Sequence, residues 1–202
     1  SSRRRHTRYI SVTGVQTCAL PISVVIFHAF PGLIPGGFAG VDIFFVISGF
    51  LITGIIWKEC ALGRFSILNF YARRIRRIFP ALILVLLAST VVAWWVLFND
   101  EFKQLGNHVM RSAVFLSNFV LWRESGYFDA KAELKPLLHL WSLAIEEQFY
   151  ILWPGLIWII RRKFNKPLTW LITIFILSFS WNIFQSFRDP IHDFYSPLTR
   201  FR

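Results

Sequence analysis

Acidic side chains are scarce in this chain: 11 Asp and Glu stand against 22 Lys and Arg in 202 residues, a formal net charge of +11. Cysteine is scarcer, with two, and methionine occurs once. Cys18 and Cys60 imply neither a disulfide framework nor a metal site. There is no internal repeat and no low-complexity tract. Polar surface is also short, because 55% of the residues are hydrophobic, nine are Trp, 22 are Phe, and mean hydropathy is +0.51. A soluble domain of this size could not hide that much apolar surface from water, so the chain reads as an integral membrane protein. In a soluble protein such a basic excess would suggest nucleic acid. Here most basic residues cluster beside apolar stretches, so they orient the chain in membrane lipid, and no nucleic-acid partner is expected.

The stretch from Phe38 to Trp57 is long enough to cross a bilayer core at about 1.5 Å per residue, although it carries Asp42 and the glycines Gly40, Gly49 and Gly54. Before it, Ile22 to Phe30 is apolar apart from Ser23 and His28. It is too short to span alone and reads as part of an incomplete first helix, with Pro31 to Gly37 turning the chain. Lys58, Arg64, Arg73, Arg74, Arg76 and Arg77 face one acid, Glu59, an excess that marks a cytoplasmic loop. Ile78 to Phe98 is the third span, with Pro80 expected in its first turn, where the missing N–H costs little. Asn107 to Trp122 contains His108, Arg111, Ser112, Ser117 and Asn118, and is expected to lie as an amphipathic helix at the outer interface. Leu140 to Ile160, followed by the basic run Arg161 to Lys166, is the next span, and Leu168 to Phe187 is the last. The predicted fold class is all-α, a polytopic transmembrane helix bundle of about five spans, the first incomplete. Residues 1–21 combine a basic start with no membrane periodicity and are expected to be a non-native leader. Residues 22–202 then form a partial transmembrane domain, truncated at both ends.

Several groups are costly in such a setting. An acid at membrane depth marks a functional site by default, and Asp42 is the first; its alternative is an interfacial helix start, where the macrodipole welcomes it. Gly49 and Gly54 are expected to let neighbouring helices approach closely. His28, within an apolar segment, is either a packing residue or a catalytic one. Arg73 with Arg76, and Arg74 with Arg77, are i,i+3 pairs, and either pair puts two guanidiniums on one helix face. That is a fork for phosphates or simple positive-inside anchoring. His139, Ser142 and Glu146 share a helix face, but three side chains stacked on one helix rarely reach the in-line geometry of a catalytic triad. The carboxylates of Glu146 and Glu147 lie so close to a span that they need partners.

Four ordered motifs carry a resemblance: His28-Ala-Phe-Pro31, Gly40-Val-Asp-Ile-Phe-Phe-Val-Ile-Ser-Gly-Phe-Leu-Ile-Thr53, Phe70-Tyr-Ala-Arg-Arg-Ile-Arg-Arg-Ile-Phe-Pro80 and His139-Leu-Trp-Ser-Leu-Ala-Ile-Glu-Glu-Gln-Phe-Tyr150. From about Ile22 onward the chain resembles the bacterial membrane-bound acyltransferase family 3. These are multi-span O-acyltransferases of cell-surface polysaccharides, lipopolysaccharide and peptidoglycan. The resemblance implies an acyl-CoA donor, usually acetyl-CoA, presented from the cytoplasm. It also implies an extracytoplasmic glycan acceptor and a multi-pass location in the bacterial inner membrane. Ser125-Gly-Tyr-Phe128 and Phe194-Tyr-Ser-Pro-Leu-Thr-Arg200 look most like members that carry an SGNH-type domain beyond the membrane part, a domain absent from this sequence.

By the same resemblance, His28 matches the essential histidine, as a general base or a transient acyl carrier. The basic residue expected ahead of it falls on Thr17. The Arg-x-x-Arg motif maps to Arg74 and Arg77, with Arg73 and Arg76 the alternative register, and would bind the CoA phosphates. Asp42, Glu146 and Glu147 would orient the histidine or bind the acceptor; no metal is implied. The rival reading is a polytopic transporter or flippase without acyl-transfer chemistry, or an inactive fragment.

Overall fold

The computed structural model describes residues 22–30, 32–33, 36–37, 39–125 and 135–200. The expected leader, part of the Pro31 to Gly37 turn and residues 126–128 of the Ser125 to Phe128 motif therefore lie outside the described residues. The chain divides into two compact units, residues 1–55 and 56–202. Among the described residues every regular element is a helix.

The first unit contains α1 (residues 22–29) and most of α2 (Ala39–Ala61), which continues into the second unit. Asp42 sits in the first turn of α2, where the helix N-terminus favours a negative charge. A Cβ built on Gly54 meets no atom within 4 Å. The expected close helix approach at that glycine is therefore not made among the described residues. Beyond Ala61, Gly63 takes a positive φ of 65° and Arg64 N–H donates to the Glu59 carbonyl, closing the helix end.

The second unit is built on α3 (Ile67–Val96) and α6 (Leu140–Lys163). Ser66 caps α3 by accepting from Asn69 N–H, so the helix starts eleven residues before the apolar stretch that suggested it. Pro80 consequently lies inside the helix and not in its first turn, leaving the Arg76 carbonyl without its usual helical donor. Such an interruption is tolerated in membrane helices where neighbours meet the freed group. Tyr71 donates to the Ile151 carbonyl and Arg74 reaches Glu147; the rising and falling numbers make α3 and α6 antiparallel.

After α3 the chain reverses into α4 (Asn99–Ala113) and α5 (Ser117–Glu124). Phe102 meets Trp94 at a 5.5 Å ring separation and Phe115 meets Phe79 at 5.8 Å. Helix α4 thus runs back along α3 over about 22 Å, fifteen residues at 1.5 Å each. Phe115, at φ 57°, makes the break, and α5 returns until Glu124 lies beside His108. The stretch expected to be one amphipathic helix is instead part of a two-helix hairpin packed against α3 and α6. Its buried positions are Leu105, His108, Ser112, Ser117, Asn118 and Leu121, while Met110, Val114 and Phe119 are exposed. The outer face of α4 is largely polar, with Asp100, Glu101, Lys103, Gln104, Asn107 and Arg111 exposed, while its inner face joins Phe102, Leu105 and Val109 with His108 and Ser112.

Helix α7 (Pro167–Arg188) follows, with short α8 (Pro190–Tyr195) and α9 (Pro197–Arg200) folded back on it through Asn182 to Asp193 and Ser178 to the Leu198 carbonyl. Leu82, Leu86, Ala93, Leu105 and Leu137 form the apolar core where α3, α4 and the approach to α6 meet. Helices α2, α3, α6 and α7 are each long and apolar enough to cross a membrane, and almost none of their apolar windows is buried except in α6. The four complete spans expected from the sequence are these four helices.

Candidate functional site

The structure joins two motifs far apart in sequence. Arg74, in the third turn of α3, lies against Glu146 and Glu147, at the junction of the second and third turns of α6. Its Nη2 donates to Glu147 Oε1 at 2.7 Å and to Glu146 Oε1 at 3.2 Å, and its Nε approaches Glu147 Oε2 at 3.4 Å. The guanidinium carbon stands 3.3 Å from the centroid of the Tyr150 ring, one turn further along α6. Tyr150 is 2% exposed and Glu147 5%. Planar, bidentate and stacked contacts are what a guanidinium offers and an ammonium does not. A pair this enclosed is strongly destabilising to break, because the remaining charge would be left buried and alone.

The other three arginines of the motif are placed differently. Arg73 approaches Glu59 at 3.6 Å and is mostly exposed, while Arg76 and Arg77 are exposed. Neither i,i+3 pair therefore presents two equivalent guanidiniums: in each register one member faces a carboxylate. The exposed Arg76 and Arg77 keep the open donors that a phosphate needs.

Gln148 extends the polar zone. Its amide donates to the Phe115 carbonyl at 2.6 Å and to Asn118 Oδ1 at 2.9 Å, and Asn118 donates to the Tyr195 carbonyl at 3.0 Å. The tip of the α4–α5 hairpin is thereby fixed beside the carboxylate cluster. Further along the hairpin, Glu124 Oε2 accepts from Lys135 Nζ at 3.0 Å and lies 3.0 Å from His108 Nε2. Sequence reading passed over Tyr150, Gln148 and this second cluster. The available signals were Glu146 and Glu147 standing four and three residues before Tyr150, and His108 and Ser112 four apart on the same face of α4 as the apolar Leu105.

The conceivable Ser-His-Glu triad is not assembled. Ser142 Oγ donates to the main-chain carbonyl of His139, and the Glu146 carboxylate is turned to Arg74. In the first unit, His28 is an exposed residue near the end of α1, with the Phe27 ring 5.3 Å away edge-on. Asp42 is half-buried in α2. Among the described residues no group of three or more His, Cys, Asp or Glu could hold a metal ion.

A family model described as an acyltransferase domain matches residues 18–200. A Haemophilus influenzae protein is 44% identical over 138 residues, 68% of this chain and 56% of its own length. The peptidoglycan O-acetyltransferase OatA of Listeria monocytogenes is 34% identical over 210 residues, 98% of this chain and 33% of the relative. The O-acetyltransferase OatA of Staphylococcus aureus is 36% identical over 175 residues, 85% of this chain and 28% of the relative. The chain thus spans between about a quarter and somewhat over half of the relatives it matches. No solved structure matches it.

Proposed function

This chain belongs to the acyltransferase family whose domain it matches over nearly its whole length, and from that premise we propose that it is the membrane part of an O-acetyltransferase modifying a cell-surface glycan, with acetyl-CoA as donor. The protein is a multi-pass membrane protein, and the bacterial inner membrane is the location this reading requires. Two of its relatives are named O-acetyltransferases, one of them of peptidoglycan; peptidoglycan is the acceptor we favour. The observation that carries the reading is the buried contact of Arg74 with Glu146 and Glu147. It ties together the two charged motifs that single out this chain from a simple bundle of apolar spans.

The residues divide the work as follows. Arg76 and Arg77, with Arg73 beside them, bind the phosphates of CoA by charge-assisted hydrogen bonds. Arg74 positions Glu146 and Glu147 on α6. A sugar hydroxyl is a poor nucleophile at neutral pH, and His28 takes its proton as it attacks the thioester, or carries the acetyl group in transit. Asp42 is the carboxylate nearest His28 in sequence and orients it.

The test is acetyl transfer from acetyl-CoA to a peptidoglycan oligosaccharide by the full-length parent in membranes. His28→Ala should lower the rate about 100-fold or more at equal protein level. Near-normal transfer by that variant would return His28 to a packing role. No acetyl-CoA consumption by the wild type would favour a transporter.

A further inference from the structure

The α4–α5 hairpin encloses two polar atoms that make no hydrogen bond among the described residues, His108 Nε2 and Ser112 Oγ. Their residues are 5% and 3% exposed. They stand one turn apart on α4, so they share a face, and Leu105 on that face packs into the apolar core. His108 Nε2 does lie 3.0 Å from Glu124 Oε2, but off the direction that a hydrogen bond requires. That oxygen instead accepts from Lys135 Nζ, itself enclosed. Folded proteins seldom leave buried polar atoms unmet, so this pair asks for a partner that the described residues do not supply.

We propose that His108 and Ser112 form a subsite for the acceptor's hydroxyl group, beside a Glu124–Lys135 ion pair that fixes its wall; this rests on the O-acetyltransferase reading above. The chemistry selects the ligand class. An anion would meet the Glu124 carboxylate, a cation would meet the Lys135 ammonium, and an apolar group would leave both polar atoms unmet. A hydroxyl donates and accepts at once. So does a serine hydroxyl, and a neutral imidazole offers one donor and one acceptor nitrogen, so one sugar hydroxyl can meet both residues. The hairpin is also in the right company, because its tip is bonded to Gln148, next in sequence to the Glu147 that holds Arg74. A trapped water would offer the same hydroxyl chemistry, and the experiment separates the two.

Ser112→Ala and His108→Gln, made singly in the full-length parent, are assayed with acetyl-CoA and a soluble peptidoglycan oligosaccharide. Each should raise the apparent KM for the oligosaccharide about three- to tenfold, the loss of one hydrogen bond, while the apparent KM for acetyl-CoA stays within about twofold. Ser112→Ala removes only a buried, unmet hydroxyl, so its melting temperature should equal or exceed that of the wild type. Wild-type KM values for the oligosaccharide in both variants would make this a water site and overturn the subsite. A parallel rise in both KM values would mark a general distortion and overturn it equally. If the wild type transfers nothing from acetyl-CoA, the acetyltransferase reading itself falls, and the subsite with it.

Discussion

Arg73, Arg74, Arg76 and Arg77 look interchangeable in sequence, and spacing alone arranges them into two equivalent pairs. The fold separates them. Arg74 is enclosed by two carboxylates and the Tyr150 ring, whereas Arg77 is exposed. Arg74→Ala should therefore cost stability, by about 3–5 kcal/mol, because Glu147 would stay buried without its counter-charge. Arg74→Lys should recover only part of that, since an ammonium neither forks nor stacks. Arg77→Ala should leave stability within about 0.5 kcal/mol and weaken acetyl-CoA binding by roughly 1.5–3 kcal/mol, the range for hydrogen bonds to a charged group. Thermal unfolding in detergent and the apparent KM for acetyl-CoA read the two effects separately. An Arg74→Ala protein as stable as the wild type would contradict the assignment. Helical spacing could show which arginines share a face. It could not show that the partner of Arg74 lies more than seventy residues away, because that pairing is made by the antiparallel packing of α3 and α6.

At the scale of elements, the four long apolar helices were legible because crossing a bilayer needs about twenty apolar residues, a demand written directly into composition. The α4–α5 hairpin was not. Its periodicity announces an amphipathic helix, and α4 does turn Phe102, Leu105 and Val109 inward, but it announces neither that the segment folds back on itself nor that His108 and Ser112 are enclosed with them. Its break falls at Val114, Phe115 and Leu116, where neither Gly nor Pro signals a turn. The start of α3 is set by the Ser66 cap, which stands outside the apolar run that marks the span. The hairpin tip rests on Gln148, whose amide serves both Phe115 and Asn118. Gln148→Leu keeps the bulk and removes both donors, so two acceptors lose their partner at a cost of about 1–3 kcal/mol. Amide exchange in residues 114–124 should then accelerate about tenfold or more, with the middle of α3 unchanged. Unchanged exchange at the tip would show that apolar packing alone, such as Phe115 on Phe79, holds the hairpin.

For the molecule as a whole, the question is which way it lies in the membrane. Arg161 donates to the Trp57 carbonyl at 2.9 Å and covers the Trp57 ring, which brings the basic end of α6 to the basic end of α2. Because α3 runs antiparallel to α6, the start of α3 lies toward that same end, and Arg73 reaches it through Glu59. Lys58, Arg73, Arg161, Arg162 and Lys163 are thus gathered on one side, while the contacts of Tyr71 with Ile151 and of Arg74 with Glu147 set Arg76 and Arg77 deeper along α6. Residues near the spans at the other end, such as Asp100, Glu101 and Lys103 at the start of α4 and Asp189, His192 and Asp193 in and before α8, are balanced or acidic. From such an asymmetry we infer that the basic end faces the cytoplasm, where our reading puts acetyl-CoA, and that the hairpin's open end faces the glycan. With Cys18 and Cys60 replaced by serine, single cysteines at the exposed positions Arg77, Arg162 and Asp100, and at the half-buried His192, can be probed by a membrane-impermeant thiol reagent. In intact cells the cysteines replacing Asp100 and His192 should react, and those replacing Arg77 and Arg162 should react only after the membrane is opened. Labelling of the Arg162 position in intact cells would invert the orientation. It would put the phosphate-binding arginines on the side away from the donor, which the proposed division of work between Arg77 and His108 could not survive.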